Sequence, residues 1–318
     1  MTITTLATLN DAGALALPPE IADLVAAWHA HLARSVELGD MASTSATTYR
    51  ASVRKFCEWL ASAGAMATGP DAVRDFKLAM LAKASPASVN VWLSGVRAFY
   101  AWGMENGRMA SNPAASVKGA RRRGANKSHK RDALSDAEVV RLLTLQLPAR
   151  DHAILALKAF TGVRDVEVHR ADLADLRTRD GRRTLQVRGK GHTDKDDFVV
   201  LNTQMEVALS AWLAERGADP GPLFTSGSRR NLGGRLSLQA IRAMVKDAYR
   251  AVGIVESTKT SHSLRHTAIT KVLRATRDPL RAKGMSRHAS LDTLMIYAHE
   301  LGRIESPAED AIDYGAGK

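Results

Sequence analysis

Two arginines, Arg164 and Arg265, two histidines, His262 and His288, and one late tyrosine, Tyr297, are the side chains whose types and spacing could do chemistry. A planar guanidinium fork matches two non-bridging oxygens of a phosphate at once. It stabilises the extra negative charge those oxygens gather when a phosphodiester is attacked. His262 and Arg265 are three residues apart, so a helix would set both on one face toward one phosphate. A tyrosine phenol is a weak nucleophile with a pKa near 10, yet one held in line with phosphorus can form a covalent phosphotyrosine. Other chemistries find no footing. Gly189-Lys190-Gly191-His192 lacks the glycine five residues before the Gly-Lys pair and the hydroxyl residue after it, so there is no phosphate-cradling loop for ATP. No His-Glu-x-x-His run or spaced Cys/His cluster offers a zinc site, and Asp194, Asp196 and Asp197 read as a solvated turn rather than as metal ligands. No metal and no cofactor are expected.

These residues lie in three boxes. The first is Thr161-Gly162-Val163-Arg164-Asp165-Val166-Glu167-Val168 and the second Ser261-His262-Ser263-Leu264-Arg265-His266. The third is Ser286-Arg287-His288-Ala289-Ser290, followed by Thr293-Leu294-Met295-Ile296-Tyr297-Ala298-His299. With 23 residues from Arg265 to His288 and nine from His288 to Tyr297, the set resembles the tyrosine recombinase (phage integrase) family. The family's boxes read Thr-Gly-Leu-Arg-x-x-Glu-Leu, His-x-x-Arg-His, and Leu-Gly-His-Ser-Ser with Thr-x-x-x-Tyr-x-His. The resemblance covers residues 133 to 299 well, and departs at Val163 for leucine, at Arg287 for glycine, and in the acidic run His192 to Asp197, where the family is often basic.

What the resemblance implies is specific. Tyr297 is the nucleophile, Arg164, His262 and Arg265 address the phosphate, and His288 hydrogen-bonds the phosphate or the tyrosine region. Lys190, on a turn between strands, protonates the leaving 5' oxygen, and Glu167 either orients neighbouring arginine or histidine groups or serves structure alone. His266 and His299 match box positions and could equally serve packing. The implied function is site-specific DNA recombination: a homo-tetramer pairs two double-stranded sites and exchanges strands through a Holliday junction. The phosphotyrosine preserves the bond's energy, so joining needs neither ATP nor metal. Whether an accessory protein sets direction is left open by the sequence. Two other readings stand beside it, a type IB-like DNA relaxing enzyme and a catalytically silent DNA-binding accessory protein.

The elements that must position these groups are mainly helical. The chain has 318 residues, a net charge of +12 and a pI of about 10.0, a balance suited to a polyanionic partner. Residues 1–117 carry nine basic and nine acidic side chains, residues 118–131 seven basic and none acidic, and the remainder 29 and 24. The boundaries follow: a helical domain over 1–117 that resembles a core-binding domain, a basic linker over 118–131, and a catalytic domain with a C-terminal tail over 132–318. Within the linker Arg121, Arg122, Arg123, Lys127, Lys130 and Arg131 read as a strap on DNA phosphates or as a solvated tether. Apolar residues at helical spacing place four helices upstream, around Trp28, Phe56, Phe76 and Leu93, with the aromatics as core and Arg50, Arg54 and Arg97 open between solvated faces and phosphate contacts. Ser135 with Glu138 and Thr203 with Glu206 read as capping boxes. Thr184 to Arg188 and Asp197 to Leu201 alternate with period two, so a small antiparallel sheet of two or three strands interrupts the later helices, and the fold class is mainly α with a small β-sheet.

Cys57 sits in an apolar run as core. Fewer than twenty residues precede the first helix, too few for an arm-binding domain, so the chain resembles the simple two-domain members. A short apolar face after Leu301, opened by Ser306-Pro307, would dock on a neighbouring protomer or on its own domain. No stretch approaches a membrane span and the start lacks a secretory signal, which predicts a soluble, cytoplasmic protein with no membrane partner. Duplex affinity should therefore be steeply salt-dependent: for ~6 phosphates neutralised, a loss on the order of 10³ between ~50 and ~200 mM salt, measured by fluorescence anisotropy. A flat salt profile would exclude the strap.

Overall fold

Proline opens several helices of this chain, at Pro19, Pro70, Pro86 and Pro279, where its missing amide hydrogen is not needed and its fixed φ suits the first turn. The computed structural model describes residues 8–9, 15–16, 19–63, 70–121, 133–188, 195–288, 290–291 and 294. Its chain divides into two compact units, Met1–Ala125 and Asn126–Lys318.

The first unit contains a short antiparallel pairing of β1 (Thr8–Leu9) with β2 (Leu15–Ala16), then α1 (Pro19–Glu37), α2 (Ser43–Ala63), α3 (Pro70–Leu81) and α4 (Pro86–Glu105). Ser85 caps α4 by accepting the Ser88 amide at 3.2 Å. Each helix turns its apolar stripe inward: Trp28 and Leu32, Val53, Phe56 and Leu60, Val73 and Phe76, and Val89, Leu93 and Val96 are buried in one core. The aromatics pack edge-on, Phe56 against Phe76 at 5.1 Å and Trp28 against Phe99 at 5.9 Å between ring centroids. Cys57 lies in this core, and burial pushes its thiol up to about 12.

The arginines left open by the sequence are placed. Arg97 donates to the Ala114 and Val117 carbonyls at 3.3 and 2.5 Å, Arg50 to the His29 carbonyl at 3.2 Å, and Arg54 pairs with Glu58 at 2.8 Å on an exposed face. The helical unit also runs past the boundary expected at residue 117. Asn90 accepts the Ala120 amide at 2.7 Å and donates to the Ala120 carbonyl at 3.0 Å, Lys77 donates to the Lys118 carbonyl at 2.8 Å, and Val117 and Ala120 are buried. One small apolar side chain, Ala120, in a run of basic residues gives no periodicity, which is why composition placed this stretch in the linker.

The second unit starts with α5 (Asp136–Leu143), whose Ser135–Glu138 capping box forms as expected. It continues with α6 (Ala149–Thr161), α7 (Asp165–Arg170), a 3-10 turn over Leu173–Asp175, and the antiparallel sheet β3 (Leu176–Arg179), β4 (Arg182–Val187) and β5 (Asp197–Val200). Leu176 faces Leu185, and Leu185 faces Val199, so one face of the sheet joins the core. Asp180 and Gly181, both at positive φ, make the tight turn between β3 and β4. Then come α8 (Thr203–Arg216), α9 (Leu238–Ala251), α10 (Ser263–Thr276) and α11 (Pro279–Ser286). The cap of α8 is Asn202, which accepts the Met205 amide at 2.8 Å, one residue ahead of the expected Thr203. Helix α6, with Ala153 to Leu157 all buried, is the spine against which α5, α8 and α10 pack. Among the described residues no helix is long and apolar enough to cross a membrane.

Helices α2 and α4 approach closely at Gly95, where an added Cβ would collide with the Ser52 Cβ and stand 2.8 Å from its Oγ. Gly95→Ala should therefore destabilise the protein by about 1–2 kcal/mol despite alanine's better helix propensity. In urea denaturation, Ser52→Gly combined with Gly95→Ala should lose clearly less than the sum of the single changes, by about 1 kcal/mol. Additive losses would mean the two backbones do not meet there.

Candidate active site

Gly162 ends α6 in the left-handed conformation, with φ of 63°, and turns the chain so that Arg164 enters α7 from an extended backbone. Glu167, three residues on, reaches back: it accepts the Arg164 amide at 2.7 Å and the Arg164 guanidinium at 2.8 Å. The Arg164 side chain keeps 22% of its surface exposed, while Glu167 keeps 1%. The first box thus presents a guanidinium whose direction is set by a buried carboxylate on its own helix.

Arg265, on the first turn of α10, joins this box to the other two. Its guanidinium donates to the Gly162 carbonyl at 2.6 Å and to the Ser286 carbonyl, and lies 3.4 Å from His288 Nε2. Both carbonyls sit at helix C-termini, those of α6 and α11, where the peptide dipoles leave negative charge. A guanidinium has no acceptor, so His288 Nε2 accepts and Nδ1 carries the hydrogen, which it donates to Ser286 Oγ at 3.0 Å. Burial, then the charges of Arg265 and Arg164, push the His288 imidazole down to about 4, so it is neutral at neutral pH.

His262 precedes α10 in helical conformation and is exposed, with its ring 4.6 Å from that of His266 in an edge-on contact. Partial burial and then the charge of Arg265 hold it below its ordinary value. His266, one turn on, thus packs on His262. Arg164 is bonded to Glu167, Arg265 to His288 and to the Gly162 carbonyl two residues before Arg164, and His262 opens the turn that carries Arg265. Lys190 and Tyr297 lie outside the described residues, as do His299, the C-terminal tail, and Arg122, Arg123, Lys127, Lys130 and Arg131 of the linker. Arg121 is exposed at the end of the first unit's described residues.

Several positioning groups escaped the sequence reading. Lys158, 1% exposed on α6, donates to Asp165 at 2.6 Å, and Asp165 also receives Ser261 Oγ at 2.6 Å and Arg242 at 3.1 Å. This carboxylate, adjacent to Arg164, ties the first box to the residue before His262. Burial would raise its pKa, but Lys158, Ser261 and Arg242 together outweigh that and hold it below the usual range. A lysine inside the apolar run Ala153 to Phe160 was the available signal. Lys195 donates to Asp172 at 2.9 Å and Asp175 at 2.5 Å, anchoring the start of the chain that leads into β5. Arg287, noted above as standing for a glycine, donates to Glu167 at 2.8 Å with both side chains almost fully buried.

The model of the phage integrase family matches residues 133–302. A curated relative, the tyrosine recombinase XerC of Mycobacterium sp. (strain KMS), is 32% identical over 216 residues, covering 65% of this chain and 69% of the relative. Two solved structures share the fold. XerH site-specific recombinase bound to palindromic difH substrate, a post-cleavage complex, has a TM-score of 0.68 at 20% identity, covering 83% of this chain and 80% of the other. A lambda integrase tetramer bound to a Holliday junction has a TM-score of 0.64 at 14% identity, covering 85% and 77%.

The depressed His288 value has a measurable sign. The unfolded chain takes up this proton near 6.5 and the folded one near 4, so the unfolded state binds more protons between those values. The His288 contribution to stability is full above pH 6.5, the unfolded value, and is lost as pH falls toward 4. In DNA-free protein the ring resonances of His288 should show no protonation down to about pH 5 by NMR titration. A midpoint at the ordinary histidine value would break the Arg265–His288–Ser286 arrangement.

Proposed function

The chain belongs to the phage integrase family of tyrosine recombinases, and we propose that it breaks and rejoins duplex DNA at specific sites through a covalent 3'-phosphotyrosine on Tyr297. The observation that carries the reading is the convergence of three distant sequence boxes on one guanidinium. Arg265 of the second box holds Gly162 of the first and Ser286 and His288 of the third. Such a focus of positive charge suits a phosphodiester in the act of gaining a fifth oxygen.

In the proposed reaction the Tyr297 oxygen attacks phosphorus, the new O–P bond forms as the bond to the 5' oxygen breaks, and the phenolic proton passes to water. Lys190 delivers a proton to the departing 5' oxygen. Arg164, oriented by Glu167 and partly open to solvent, and Arg265 offset the charge on the non-bridging oxygens, with His262 beside them on the same turn. His288, neutral at neutral pH, offers a hydrogen-bonding ring to the phosphate or the phenol. Attack by the free 5' hydroxyl of a partner strand reverses these steps, and the phosphotyrosine bond supplies the energy for joining. No ATP, metal or other cofactor enters the scheme.

The assembly belongs to the same proposal. Four protomers on two double-stranded sites would exchange strands through a Holliday junction, in the cytoplasm, with the basic stretch from Arg121 to Arg131 lying on phosphates. An accessory protein would bias direction. The lambda integrase tetramer on a Holliday junction, similar in fold, supports this arrangement.

The decisive experiment is a nicked suicide duplex incubated with the protein in EDTA and resolved on a denaturing gel. A protein–DNA adduct should appear with wild type and vanish in Tyr297→Phe, and the Arg164→Ala rate should fall by about 100-fold or more. Absence of an adduct on duplex that the protein binds would remove the recombinase reading.

A further inference from the structure

Arg287 stands where the family's box has glycine, and both terminal nitrogens of its guanidinium are engaged by protein acceptors while the buried Nε has no hydrogen-bond partner among the described residues. The residue caps α11 in the left-handed region, with φ of 56°, a strained backbone for a residue bearing a Cβ. The side chain is 2% exposed. Nη1 donates to the Met285 carbonyl at 2.7 Å and Nη2 to Glu167 Oε2 at 2.8 Å. Glu167 Oε2 is the same oxygen that receives the Arg164 amide, and Oε1 receives the Arg164 guanidinium.

One carboxylate therefore faces two guanidiniums. With Arg164 alone the pair would be neutral, and the carboxylate would cancel much of the field Arg164 offers to an anion. With Arg287 the trio stays at net +1. We propose that Arg287 is a positioning residue of the site: it clamps Glu167 beneath Arg164 and supplies the second positive charge that the buried carboxylate requires. Arg164 is thereby fixed in direction and keeps its charge for the scissile phosphate. The proposal rests on the recombinase reading.

The groups facing Glu167 are Arg164 at the start of α7, Lys158 on α6, Arg265 on α10 and Arg287 at the end of α11. Burial would raise the carboxyl, but Arg287 followed by the Arg164 amide and guanidinium hold it below its ordinary value. Loss of Arg287 removes the first of these, so protonation moves to higher pH.

The test uses the full chain and the suicide duplex, in single turnover with protein in excess, across a pH series. Arg287→Gly suits the left-handed backbone; it should bind duplex within about twofold of wild type yet form the adduct up to about 100-fold more slowly. Its acid limb should lie at higher pH. Arg287→Lys, which keeps the charge, should restore the wild-type acid limb and most of the rate. Arg287→Met, which keeps the stem, serves the same comparison if the glycine variant is unfolded by circular dichroism. A folded glycine or methionine variant with wild-type rate and pH profile overturns the proposal alone. So does a loss of rate in which lysine does no better than glycine and the acid limb stays put, the mark of a purely structural role. A wild-type protein that forms no adduct overturns the recombinase reading and the proposal with it.

Discussion

A guanidinium withdrawn from water must find acceptors or leave several kcal/mol uncompensated, and Arg265, with 1% of its surface exposed, imposes that demand on the second unit. The acceptors are the carbonyls that helices cannot satisfy for themselves. Helix α6 ends at Gly162 and helix α11 at Ser286, and each directs a terminal carbonyl at the same side chain. A charge that could not be buried against one helix end is tolerable between two. The same geometry brings segments more than a hundred residues apart into register, so that the residues suited to phosphate chemistry lie together.

Around that centre, positive and negative groups alternate. Lys158 meets Asp165, Asp165 meets Arg242 and Ser261, and Glu167 is shared by Arg164 and Arg287. Each carboxylate sits within the first turn of α7, where the helix dipole also favours negative charge. Both carboxylates are paired and positive charge is left in excess, while Arg164 retains an open side. Rigid orientation behind and a solvent-facing guanidinium in front is what anion recognition asks of a preorganised site.

The legible part of this protein was the part written in local pattern. Apolar spacing at Trp28, Phe56, Phe76 and Leu93 located the first four helices, because each buries one face. Ser135 and Glu138 announced α5 through their own reciprocal bonds. Asn202 displaced Thr203 as a cap because both are good caps in adjacent positions, and only the backbone decides between them. Helix α11 went unread: Pro279 and Asp278 signal its start, but only Ala282 and Ser286 are buried, too sparse a stripe to show a period. At the site, Arg164, Arg265 and His288 stood out by type and order, whereas the positioning parts of Lys158, Asp165 and Arg287 did not. Their partners lie across tertiary contacts, and a buried ion pair leaves no spacing in the chain.

Cys57 brings a consequence of another kind. It is the chain's one thiol, enclosed by α2 and its neighbours and shifted far from the thiolate form. Thiol modification is therefore coupled to disruption of the helical unit's packing, so the residue acts as an internal clock for that unit. The rate at which a small reagent reaches it counts openings of the N-terminal half, separately from whatever the other half is doing.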